Sequence, residues 1–218
     1  MCLGEIDIAV LCGGKGSRLA SVLGDTPKVL APIGDSTYLD ILIARLKTFG
    51  AKRMVLSAGH LAEKISKWSE YPPPGIATVL HIETEQEGSS AAVANIRPYL
   101  KSDPVMVING DTLTNANLCR FLEIYRRYSL EAAQLWSHRW GRRDQQSAGY
   151  YLISQRLLGK LKHPKFELFM SRHCEGLGQV DIWRSAFLDI GTPKTLAQAP
   201  EFVEFMNVPD WVPDAIRG

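Results

Sequence analysis

Apolar runs alternate with helical patterns along most of the chain. Residues 6–11, 54–57, 77–82 and 105–108 are short and apolar, which predicts buried strands. Residues 38–49, 61–68, 90–100 and 118–128 predict amphipathic helices; Leu39, Leu42, Ile43 and Leu46 fall on one helical face. Such alternation predicts an α/β fold, a mostly parallel sheet with helices on both faces. Ligands of these sheets bind beyond the carboxyl ends of the strands. After Ser129 the pattern changes. Residues 132–136 and 149–153 read as further strands and 163–170 as a helix. Another short apolar run ends near Asp189, and 193–205 reads as a closing helix. The tail 207–218 is irregular; Trp211 within it predicts packing on the body or self-association as a homodimer. No repeat or low-complexity linker divides the chain, so 1–218 reads as a single domain.

Composition narrows the class. Apolar residues make up 45% and charged residues 22% of 218, as in ordinary globular proteins. The net charge of +2 gives no reason to invoke nucleic acid or a membrane surface. No apolar run approaches the ~18 residues of a membrane span. Glu5 and Asp7 argue against a signal peptide. Cys2, Cys12, Cys119 and Cys174 lack metal-ligand spacing. They read as reduced thiols of a cytoplasmic protein, with Cys12 under the loop that follows it. The five histidines are scattered and read as structural or exposed, and Trp68, Trp136, Trp140 and Trp183 as packing residues.

The richest chemistry follows the first predicted strand, at Leu11-Cys12-Gly13-Gly14-Lys15-Gly16-Ser17-Arg18-Leu19 and then Pro27-Lys28. Three glycines in four positions let the backbone turn sharply and approach a ligand. Amide-rich loops of this kind cradle anions. Arg18 adds a charged fork and Lys28 a mobile point charge, both suited to phosphate. Two other nucleotide motifs are excluded. No Gly-Lys-Ser/Thr follows the glycines, as a P-loop requires. Leu19 stands where a dinucleotide fingerprint needs a glycine, and the second strand runs into Ala58-Gly59-His60 without an acid.

Carboxylates follow other strand ends. Asp111, after Val105-Met106-Val107-Ile108-Asn109-Gly110, suits Mg²⁺ bridging phosphates, or else caps a following helix. Asp189 precedes Ile190-Gly191-Thr192-Pro193 and is either a second metal ligand or a turn residue. Glu85 is either a solvated charge or a reader of guanine, whose adjacent N–H donors suit a carboxylate.

The run from Leu11 to Pro32 resembles the sugar-1-phosphate nucleotidyltransferases, in which Gly-Gly-x-Gly-Thr-Arg-Leu precedes Pro-Lys-x-x-x-Pro. Ser17 replaces the threonine. Glu85-Gln86-Glu87-Gly88-Ser89-Ser90-Ala91 resembles that family's base- and sugar-binding loop, Asn109-Gly110-Asp111 its metal motif, and Asp189-Ile190-Gly191-Thr192-Pro193 its late acidic motif. Order and spacing are similar to the heptose-1-phosphate guanylyltransferases. The resemblance implies a Rossmann-like, GT-A-like fold and transfer of a nucleotidyl group, GTP favoured, to a heptose or hexose 1-phosphate. It implies catalytic roles for Arg18 and Lys28, nucleotide binding by Leu11, Gly13, Gly14, Gly16, Ser17, Glu85 and Gly88, sugar binding by Ser89, Asn109 and Gly149, and Mg²⁺ on Asp111 and Asp189. Residues 1–130 would then hold the nucleotide and 131–199 the acceptor sugar and second metal ligand, with 200–218 the tail. One departure stands out: the Glu-Lys pair that in this family meets the sugar and its phosphate is missing between Trp136 and Ser147. Either Arg142 or Arg143 substitutes, or the acceptor is handled differently, or activity is impaired and the chain is a weak or silent homologue acting as a nucleotide-binding regulatory or partner subunit.

Overall fold

The computed structural model describes residues 1–85, 88–161 and 164–206. In chain order, β1 (Ile8–Leu11) leads through the glycine loop to α1 (Ala20–Leu23), β2 (Pro32–Ile33), β3 (Ser36–Thr37) and α2 (Tyr38–Thr48). Next come β4 (Arg53–Ala58), α3 (Ala62–Ser69), β5 (Ala77–Ile82), α4 (Ser89–Ile96), β6 (Val105–Asn109), β7 (Thr112–Thr114) and α5 (Leu118–Arg127). The remainder is β8 (Ala132–Arg139), β9 (Gln145–Ile153), α6 (Gln155–Leu158), α7 (Phe166–His173), β10 (Gln179–Asp189), α8 (Pro193–Ala197) and α9 (Ala199–Phe205).

One eight-stranded sheet runs β5-β4-β1-β6-β9-β8-β10-β7. The pairs from β5 to β6 and the β8–β10 pair are parallel; β6–β9, β8–β9 and β7–β10 are antiparallel. The chain goes outward from β1 through β4 to β5, then returns to β6 on the other side of β1. The loop after β1 therefore sits where the winding reverses, the usual ligand position of such sheets.

Central strands are apolar throughout because they are covered twice. Ile8 and Val10 of β1 join the core beneath α2 and α5, while Ala9, between them, joins the core beneath α4 and α7. β5 departs from expectation. It is an edge strand with half-buried or exposed residues rather than a buried one, because only β4 flanks it. β8, β9 and β10 also extend beyond their apolar runs, reaching polar residues such as Arg139, Gln145 and Gln179. The closing helix is two helices meeting at Gln198, just before Pro200. Proline fits only a helix's first turn, so a new helix starts there.

The expectation of four reduced thiols is corrected. Cys2 and Cys119 form a disulfide across 117 positions, while Cys12 and Cys174 are free and buried. The start of α5 lies beside the N-terminal segment, a proximity that no cysteine spacing announces. Residues 207–218 and Trp211, together with Gln86, Glu87, His163 and the Trp183 side chain, lie outside what is described. No helix among the described residues is long and apolar enough to cross a membrane.

Candidate active site

The turn between β6 and β7 carries the first carboxylate. Gly110 donates its N–H to the Leu11 carbonyl at 3.0 Å, so the turn lies directly against the end of β1. A Cβ on Gly110 would collide with that carbonyl. Two buried tyrosines clamp the same turn. Tyr38 Oη accepts the Thr112 N–H at 3.0 Å and lies 3.1 Å from the Asn109 carbonyl, and Tyr150 Oη donates to the Thr112 carbonyl at 3.0 Å. Burial raises both phenol pKa values, so both hydroxyls stay neutral. Asp111 thus stands on a fixed support. Its Oδ1 accepts from Thr112 Oγ1 at 3.0 Å, and its Oδ2 pairs with Lys28 Nζ.

The second carboxylate comes from the last strand. Asp189 is the register partner of Thr112, and the Ile190 N–H bonds to the Asp111 carbonyl at 2.9 Å. Asp189 Oδ1 accepts the Gly191 N–H at 2.6 Å. Asp189 opens to solvent at the cleft mouth, but the protein around it still raises its carboxyl pKa, and the like charge of Asp111 raises it further. The Gly191 N–H, Lys28 and Arg18 pull the other way. Two neighbouring carboxylates make a hard oxygen donor set that fits a small divalent cation. Among the described residues no cluster of three or more His, Cys, Asp or Glu forms, so phosphates and water would complete such an ion's shell.

Two cavities meet at Asp111. The first, of ≈ 380 Å³, is lined by Leu11, Gly13, Gly14 and Lys15 of the glycine loop, by Lys28, and by Gly88 and Ser89 at the start of α4. The second, of ≈ 330 Å³, is lined by Gly149, Gln146, Phe187 and Asp189. Asn109, Asp111 and Glu167 line both. Asn109 Oδ1 is buried without a hydrogen-bond partner among the described residues. Gly149 has φ +72°, and a Cβ there would stand 3.0 Å from Asn109 Nδ2. Glycine at 149 thus leaves room for the Asn109 amide.

Most predicted site residues gather here, but four do not line either cavity. Gly16 and Ser17 are among those four. Arg18 stands near Gly191 and Asp189, its Nη2 3.6 Å from where a Gly191 Cβ would be. Glu85, the expected base reader, is exposed. Glu83, two residues earlier, lines the first cavity instead, and its Oε1 accepts from Ser57 Oγ at 2.8 Å. Its place just past the end of β5 was the signal available in the sequence. Glu167 had no such signal. It reaches the site from α7 and accepts from Ser89 Oγ at 2.9 Å, across 78 positions. Ser89 Oγ in turn accepts the Phe166 N–H.

A family model described as the MobA-like NTP transferase domain matches residues 8–178. A D-glycero-alpha-D-manno-heptose 1-phosphate guanylyltransferase of Campylobacter jejuni is 33% identical over 111 residues, 51% of this chain and 50% of that protein. A mannose-1-phosphate guanylyltransferase of Mycobacterium tuberculosis is 32% identical over 130 residues, 58% of this chain and 35% of that protein. The chain thus matches half or less of the length of these relatives. HddC from Yersinia pseudotuberculosis, solved in complex with GMP-PN, superposes with a TM-score of 0.76 at 24% identity, covering 90% of this chain and 99% of that one. That likeness shows the fold.

Proposed function

Because the chain belongs to the family of MobA-like NTP transferase domains, we propose that it joins a nucleoside triphosphate to a sugar 1-phosphate, releasing pyrophosphate. One observation carries this reading: two cavities share Asn109, Asp111 and Glu167, so ligands in them would meet beside Asp111. The first cavity has the size of a nucleotide site and cations at its wall. The second has the polar lining a sugar needs.

An acceptor phosphate oxygen attacks the α-phosphorus in line. A new P–O bond forms as the α–β bridge breaks and pyrophosphate leaves. The acceptor is already ionised at pH 7, so no protein nucleophile is required; the protein's task is to bring two polyanions together. Lys28, anchored by Asp111, faces the first cavity, where the triphosphate would lie. Arg18, near Asp189, approaches the same junction from outside. Asp111 and Asp189 would hold Mg²⁺, which when bound neutralises phosphate charge. The orphaned Asn109 Oδ1 would accept from a sugar hydroxyl, with Gly149 opening the space. Residues 1–130 would hold the nucleotide and 131–199 the acceptor, with Glu167 a contributor from the second part to both.

Guanine is the favoured base. Glu83 carries its carboxylate into the first cavity, and one such group accepts from both donors on the guanine edge. The activities of the relatives, guanylyl transfer to heptose and mannose 1-phosphates, point the same way and favour those acceptors. The test is a matrix of four nucleoside triphosphates against a panel of sugar 1-phosphates with Mg²⁺, read by the mass of the nucleotide-sugar. We expect product with GTP and a mannose-configured acceptor. No product from any pair with folded protein would favour the silent homologue.

A further inference from the structure

The second cavity has a charge problem. Its ionisable carboxyl groups are Asp111, Asp189 and Glu167, yet on the reading proposed above it receives a sugar that carries its own phosphate. Lys28 is tied to Asp111 and also lines the first cavity, so it stands on the nucleotide side.

We infer that Arg139 binds the phosphate of the acceptor, reaching the second cavity from the end of β8. Arg139 is not itself in the cavity's lining, and the register places it beside residues that are. Arg139 is the parallel partner of Phe187, and Asp189 lies two residues further along β10. Strand side chains alternate, so Phe187 and Asp189 share a face. Both line the cavity. The β8–β9 pairing gives the same answer independently. Ser137 is the partner of Gln146, and Arg139, two residues on, returns to Gln146's face. Its Nη2 donates to Gln146 Oε1 at 2.8 Å, and Gln146 lines the cavity.

The side chain is half-buried and its strand end is fixed. The Arg139 N–H bonds to the Asp144 carbonyl at 3.3 Å, and the neighbouring Trp140 N–H to the Phe187 carbonyl at 2.8 Å. The Gln146 bond uses one of five guanidinium donors, and the planar fork suits two phosphate oxygens at once. Gln146 is a positioning residue in this arrangement. Arg142 and Arg143 lie beyond it in the turn to β9 and are exposed.

The test compares Arg139→Ala, Arg139→Lys and Gln146→Ala with the unaltered protein. With the best substrate pair from the matrix, Arg139→Ala should raise the KM for sugar 1-phosphate roughly 10- to 100-fold, the usual weight of hydrogen bonds to a charged group. The KM for nucleotide should stay within about twofold. Arg139→Lys should fall between, because it keeps the charge and loses the fork. Gln146→Ala should raise the same KM several-fold. A second arm needs no turnover. Calorimetric titration of mannose 1-phosphate into protein loaded with Mg²⁺ and a non-hydrolysable GTP analogue should show about tenfold weaker binding by Arg139→Ala. A sugar-phosphate KM and affinity within about twofold of the unaltered protein would overturn the role of Arg139. If Arg139→Ala fails to fold, unchanged values in Arg139→Lys and Gln146→Ala would overturn it equally. If the unaltered protein makes no nucleotide-sugar at all, the functional reading fails, and the titration still decides whether Arg139 binds the phosphate.

Discussion

Ser57 Oγ donates a 2.8 Å hydrogen bond to Glu83 Oε1 and so steers this carboxylate along the wall of the first cavity. Gly13 lies so close that a Cβ there would stand 3.0 Å from the same oxygen. The group is therefore oriented before a ligand arrives, which lowers the cost of reading one. If it reads guanine, Glu83→Gln should remove roughly 1–3 kcal/mol of the preference for GTP, because an amide NH₂ would face a donor. Glu85→Gln should leave the preference unchanged, its side chain being exposed. The check is kcat/KM for GTP over the next-best nucleotide in each variant. A ratio insensitive to Glu83 would assign base choice to backbone groups.

Lys28 and Asp111 act as a pair, so each variant exposes the other's charge. Lys28→Ala should lower kcat/KM by roughly two to three orders of magnitude, since contacts to a reacting phosphate act where charge redistributes. Arg18→Ala should lose at least as much, with its thermal midpoint unchanged because its side chain is exposed. A rate within about twofold of the unaltered protein would remove either cation from the reaction.

Asp111→Asn and Asp189→Asn should each weaken activity and raise the Mg²⁺ concentration needed for half-maximal rate. The amide keeps the turn's shape and removes a charge from the ion's shell. Normal Mg²⁺ dependence in Asp189→Asn would reduce Asp189 to a turn residue that caps the Gly191 N–H.

Gly149→Ala should cost roughly 1–3 kcal/mol, because a side chain at φ +72° is strained and its Cβ would press on the Asn109 amide. Denaturant midpoints measure this. If stability is unchanged, Asn109 moves freely and does not define the wall of the second cavity.

At the far end of β1, Asp7 contributes stability that depends on pH. It is buried and accepts from Arg53 Nη1 at 2.7 Å, the Ser102 N–H at 3.0 Å and the Lys101 N–H. Desolvation raises its pKa, but the Lys101 N–H, Arg53 and the Ser102 N–H outweigh it, and the net shift is downward. A folded pKa below the unfolded value of about 3.9 means the stability is complete above that pH and is lost as pH falls through the folded value. Asp7→Asn should therefore cost roughly 1.5–3 kcal/mol at pH 7. The difference from the unaltered protein should shrink below about pH 4. A difference constant from pH 7 to pH 2 would show that Asp7 contributes shape rather than charge.

Sequence alone determined the fold class and the loop after β1. Two-sided burial demands near-continuous apolar strands, and glycines beside cations leave a local mark. Lys28 and Asp111 were legible for the same reason, since each follows a proline or a strand end in sequence. Tertiary structure decided everything that depends on which distant segments meet. Glu83 replaces Glu85 in the cavity wall because the chain past β5 turns one carboxylate inward and leaves the other in solvent. Glu167 enters the site because α7 packs on α4, 78 positions from Ser89. Cys2 meets Cys119 because α5 returns to the N-terminal segment. Arg139 meets Gln146 only because strand registers bring β8 against β9 and β10. Local patterns encode strand and loop chemistry, whereas these pairings are chosen by the packing of the whole sheet, in which no residue's neighbours in space need be its neighbours in sequence.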